Sequence, residues 1–166
     1  MALVGTMRAL LRRIYTVPVF IVLGLPIFLM ARIRFFDRFT RFLARIYARI
    51  VLMVFGRRAH DSPQELAEEW NRLMPAPRSR FPILESDGRT AHVEIRVHCP
   101  LRGTGNAEAC WNAMEFDRAL LRSIGGQLVV IESQSNSGKN HCRLAIRRLG
   151  DDVSDLEAAH PRWLSP

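Results

Sequence analysis

The pattern of hydrophobic and polar positions divides this chain in two. Eighteen uncharged residues, Ile14 to Ala31, run between Arg12-Arg13 on one side and Arg32 and Arg34 on the other. At about 1.5 Å per residue a helix of that length covers roughly 27 Å, close to a hydrocarbon core of about 30 Å. Flanking arginines can snorkel and supply the missing length. The run therefore predicts a membrane span over residues 14–31. Pro18, Gly24 and Pro26 lie inside it, so a kinked crossing helix and a re-entrant hairpin both fit. A secretory signal is the competing reading of a charged start followed by an apolar stretch. Three downstream cysteines, an odd number, suit a reducing compartment better than a disulfide framework.

Over residues 32–57 the pattern turns helical. Arg34, Arg38, Arg41, Arg45 and Arg49 recur at steps of four, three, four and four, which places them on one stripe. Phe35, Phe39, Phe42, Leu43, Ile46, Tyr47 and Ile50 fill the remainder. Such a helix suits the headgroup plane, apolar face down and arginines against lipid phosphates. The alternative is an amphipathic helix packed on protein with its arginines merely solvated. Residues 1–58 are thus read as the anchor.

From residue 59 to 150 the texture is that of an ordinary globular domain. Ser62-Pro63-Gln64-Glu65 is a helix start, with Ser62 as cap, proline at the first helical position and Glu65 completing a capping box. That helix carries Leu66, Trp70 and Leu73 inward and stops at Pro75. Phe81 and Ile83 open a strand, Asp87-Gly88 marks a turn, and Thr90 to His98 forms a second strand with Val93, Ile95 and Val97 on one face. Asn106 to Ser123 predicts one helix, closed by Gly125-Gly126. Gln127 to Ser133 and His141 to Arg148 make a second hairpin around Asn136-Ser137-Gly138. The order α-ββ-α-ββ predicts an α+β domain, an antiparallel sheet with helices on one face. Residues 151–166 are acidic and end in Pro161 and Pro166; alone they read as disordered, with Trp163 free to dock on a partner.

Charge sharpens the division. Residues 1–58 hold eleven arginines and one acidic residue, Asp37, so the formal net charge of +8 sits wholly in the hydrophobic third. The remaining domain is slightly acidic and shows no basic stripe, which speaks against nucleic acid as a partner. The excess of arginine after the apolar run places the C-terminal side in the cytoplasm. The expected location is therefore the inner membrane, with the globular domain cytoplasmic and anionic headgroups as partner.

Candidate chemistry centres on three cysteines. Cys99 ends a strand, Cys110 lies near a helix start, and Cys142 begins a strand. With His141 they would form a four-ligand zinc set, although no C-x-x-C occurs and the spacing matches no zinc ribbon. Strand alternation also sends His141 and Cys142 to opposite faces. Nucleophilic catalysis is the second option: Cys110 at a helix N-terminus has its thiolate favoured by the dipole, Asp117, Glu115 and either His98 or His141 could supply or orient a base, and Cys99 is a further candidate. Buried, inert cysteine is the plain alternative. Ser137-Gly138-Lys139-Asn140 is not a phosphate-binding loop, since the first glycine is missing and a turn, not a helix, surrounds it. No cofactor is expected unless the cysteines take zinc.

The stretch Glu94-Ile95-Arg96-Val97-His98-Cys99-Pro100, then Cys110, Phe116-Asp117, and Gly138 with Cys142 four residues on, resembles the L-2-amino-thiazoline-4-carboxylate hydrolase-like family. It is faintly similar also to 4-vinyl-reductase-type ligand-binding domains. The similarity covers residues 80–148. It implies an α+β domain enclosing a small ligand, with Cys99, Cys110 and Cys142 at matching positions and Asp117 joining them. The membrane segment and Arg-rich helix depart from that pattern, and a fold can keep its pocket while losing its reaction. Two functions follow as expectations. The first is a membrane-anchored accessory or docking subunit of a larger membrane-protein assembly. The second is a membrane-associated, cysteine-dependent small-molecule hydrolase or ligand-binding protein.

Overall fold

The computed structural model describes residues 26, 27 and 29–160. It is α+β, as the patterning predicts. A 3-10 turn at Arg34–Phe36 leads into α1 (Asp37–Phe55), followed by α2 (Pro63–Leu73), β1 (Ile83–Ser86), β2 (Ala91–Ile95), α3 (Ala107–Ala113), α4 (Glu115–Ile124), β3 (Gly126–Glu132) and β4 (Cys142–Arg148). The four strands form one antiparallel sheet in the order β1-β2-β4-β3.

Register explains the core. Val93 pairs with Leu144, which pairs with Val130; Ala91 pairs with Ile146, which pairs with Leu128. All six are buried on one face, where α2 and α4 cover them with Leu66, Trp70, Leu120, Leu121 and Ile124. The predicted N-cap forms: Ser62 Oγ accepts from the Glu65 amide at 3.2 Å and donates to the Glu65 carboxylate at 2.9 Å. Gly125 closes α4 in the left-handed conformation (φ 96°), and a Cβ there would come within 3.1 Å of the His60 carbonyl. Glycine is required on both counts.

Three expectations are corrected. The single helix predicted from Asn106 to Ser123 is two helices that break at Met114, whose backbone (φ −71°, ψ 0°) leaves the helical track. Residues 151–160 of the acidic segment are placed against the sheet. Arg147 of β4, 3 % exposed, grips both Asp155 carboxylate oxygens at 2.6 and 2.8 Å, and the Ala159 amide donates to the Val130 carbonyl at the sheet edge. Trp163 lies outside the described residues. Finally, the expected membrane helix finds no support: among the described residues no helix is long and apolar enough to cross a membrane. Most of the apolar run from Ile14 to Ala31 falls outside them.

The Arg-rich segment does form a helix, α1, and it belongs to the core. Thr40, Ala44, Tyr47, Ala48 and Val51 make a buried stripe. Small residues at 40, 44 and 48 let α1 approach α4 and α3 closely, and Tyr47 stacks on Phe116 with ring centroids 4.8 Å apart. The helix rests on α4 and α3 rather than on the sheet, so it forms the outermost layer.

Candidate functional site

Two features stand out. The first is a cavity of about 320 Å³ between α1, α3, α4 and the β2–α3 loop. Cys99, Cys110, Cys142 and Asp117 all line it, with Tyr47, Phe81, Val97, Leu101, Met114 and Phe116 among the apolar walls. His98 also lines it, so the sequence-predicted residues are brought together except for Glu115 and His141. His141 sits on the other side of its strand, 3.4 Å from the Glu132 carboxylate and 3.8 Å from that of Glu94. The predicted set of Cys99, Cys110, Cys142 and His141 is thus not assembled. Among the described residues no group of three or more His, Cys, Asp or Glu side chains is arranged to hold a metal ion.

The thiols are free and packed. Cys110 Sγ lies 3.2 Å from Ser133 Oγ, and Ser133 is 2.9 Å from Ser135 Oγ. The Gln134 amide donates to Cys142 Sγ at 3.4 Å, and the Leu101 amide to Cys99 Sγ at 3.4 Å. Burial raises all three thiol pKa values, pushing Cys142 up to about 12. For Cys110 this reverses the expectation from the helix dipole: desolvation outweighs the seven-residue α3, and the thiol stays protonated at neutral pH.

Asp117 behaves differently. Desolvation pushes it up to about 6, while the Trp70 indole, donating to Oδ1 at 3.0 Å, and the Arg118 charge pull the other way. A buried carboxyl poised near neutrality beside a cavity can accept or donate a proton. Gln134, fully buried, was missed in the sequence because it lies in a polar turn. Its Nε2 donates to the Val97 carbonyl at 2.9 Å and its Oε1 accepts from the Cys99 amide at 3.3 Å, so it fixes the Cys99 loop.

The second feature is the outer face of α1. Phe39, Phe42 and Met53 are 49, 56 and 76 % exposed and, with Ile46 and Ile50, follow helical steps along one stripe. Phe35, at 88 %, extends it beyond the helix start. The predicted arginines border this stripe unequally. Arg38 and Arg49 are exposed. Arg41 donates to Asn112 Oδ1 at 3.1 Å, and Arg45 Nε donates to Glu115 Oε1 at 2.6 Å while remaining half exposed. The Arg34 side chain lies outside what is described. Tyr47, grouped with the outward apolar residues in the sequence, faces inward instead.

Comparison with family models, curated proteins and solved structures gave no match to this chain.

Proposed function

We propose that the chain is a membrane-seated docking or accessory subunit whose α1 lies along an anionic bilayer and holds the α+β domain at the cytoplasmic surface. One observation carries this: α1 has two apolar faces. The inner face is used by the fold; the outer one, Phe39, Phe42 and Met53, is open and bordered by Arg38, Arg45 and Arg49. A monomeric domain gains nothing by exposing such a stripe. Immersing the exposed half of each side chain stabilises the bound state by on the order of 1 kcal/mol. Each arginine near anionic lipid adds about 1 kcal/mol. The apolar run from Ile14 to Ala31 supports the same reading, as does the charge division of the chain. Other membrane-protein subunits are the partners such a module would serve.

The hydrolase reading has one observation in its favour, the convergence of Cys99, Cys110, Cys142 and Asp117 on one cavity. The raised pKa values of all three thiols weigh against it, because the thiolate is the nucleophile.

The test is flotation of the full chain after dilution from detergent into vesicles. It is expected to bind phosphatidylglycerol-containing vesicles about tenfold or more tightly than pure phosphatidylcholine, the advantage shrinking as salt rises. A chain that stays in solution without detergent and ignores anionic vesicles overturns the proposal.

A further inference from the structure

We infer that the three-cysteine cavity is a binding site for a single aliphatic chain drawn from the bilayer, ending in a neutral hydroxyl rather than a carboxylate. The inference rests on the bilayer-seated reading of α1 and adds to it a ligand and a site.

Size and lining set the class. Protein interiors are close-packed, and an apolar recess of about 320 Å³ falls at the lower end of ligand-site volumes. Its walls include Tyr47, Val97, Leu101, Ala113, Met114 and Phe116, which offer shape and dispersion contacts but almost no hydrogen bonds. A compact polar metabolite would leave its own polar groups unpaired there. An alkyl chain would not.

The polar groups decide the end group. The Gln134 amide is already committed to Val97 and Cys99. Besides the three thiols, the Tyr47 hydroxyl and the exposed His98, the remaining polar group of the lining is the Asp117 carboxyl, held by the Trp70 indole through Oδ1. A hydroxyl can donate to a carboxylate or accept from a carboxylic acid, so it suits Asp117 in either state. A fatty acid would set a second carboxylate against it in a desolvated site, which is unfavourable.

Position supplies the source. Ile27, near the end of the apolar run, and Tyr47, from α1, both form part of the cavity wall. Arg32 also donates to the Pro100 carbonyl on the loop at the cavity rim. The elements read as touching lipid on one side thus contribute to the cavity wall on the other.

The experiment uses the full chain in phosphatidylcholine–phosphatidylglycerol vesicles, photolabelled with a diazirine-bearing dodecanol, with labelled residues mapped by mass spectrometry. Label is expected on Met114, Cys110 or Leu101, displaced by dodecanol at a concentration about tenfold below that needed with dodecanoate. Ala113→Phe, which fills the cavity, should abolish that label and leave label on Phe39 and Phe42 unchanged. Val97→Phe serves the same purpose should the first variant misfold by circular dichroism. Label confined to Phe39, Phe42 and Met53 overturns the cavity site while supporting the bilayer reading. Equal displacement by dodecanoate overturns the hydroxyl specificity. Cavity label with none on the α1 face overturns delivery from the bilayer, and with it the reading of α1.

Discussion

Glu115→Ala is expected to lower stability by about 3–5 kcal/mol. Glu115 is 3 % exposed and serves two arginines at once. Its Oε2 accepts from Arg118 Nη2 at 2.6 Å and Nε at 3.0 Å, and its Oε1 accepts from Arg45 at 2.6 Å. Arg118 is itself buried, stacked 3.7 Å from the Trp111 ring centroid. Removing the carboxylate strands a buried guanidinium and cuts the tie between α4 and α1. Burial opposes ionisation of Glu115, but the bond from Arg45 and the Arg118 charge outweigh it, so its pKa lies below the ordinary value. Its stabilisation is present above that ordinary value and is lost as pH falls through the lowered one. Arg45→Ala should cost far less, under about 1 kcal/mol, because Arg45 is half exposed and water replaces its contact. Urea unfolding of the two variants measures both. A Glu115→Ala loss no larger than that of Arg45→Ala would contradict the assignment of Glu115 as the buried centre of the network.

Asp117→Asn is expected to raise stability at pH 8 by about 3 kcal/mol and to change it little near pH 4. The folded-state pKa of Asp117 is about 6, above its ordinary 3.8, because burial penalises the charged form. Between those values the folded state binds more protons than the unfolded one. Stability therefore falls as pH rises from about 4 to 6 and stays at the lower level above that. Asparagine keeps an acceptor for the Trp70 indole without the charge. The measurement is the pH dependence of unfolding free energy for the parent and the variant. A gap of equal size at both pH values would mean that Asp117 does not titrate between them.

Local chemistry made much of the fold legible. Ser62 announces α2 because its side chain caps a first-turn amide that has no partner within the helix. Alternation at Val93 and Ile95, and the turn at Asp87-Gly88, place the first hairpin for the same kind of reason. The break at Met114 carried no such signal: neither Gly nor Pro stands there, and only tertiary packing sets it. The ordered tail was hidden because its anchor, Arg147, reads as an exposed strand residue until its partner Asp155 folds back onto it. Strand alternation correctly separated Cys142 from His141 but could not bring Cys99, Cys110 and Cys142 to one cavity, since that depends on how α3 packs on the sheet. The hardest case was α1. A helix with two apolar stripes does not declare which one its own domain will take. The small residues Thr40, Ala44 and Ala48 carry the answer, because only small side chains let a second helix come close. Tyr47 lies on their stripe and goes inward with them.

The open face of α1 is the feature on which the function rests, and depth-dependent quenching probes it directly. In the full chain reconstituted into anionic vesicles, tryptophan at position 42 (Phe42→Trp) should add emission that bromines on the acyl chains quench strongly. Added emission that brominated lipid leaves untouched would mean that this face of α1 meets water or protein, and the bilayer-seated account would fail.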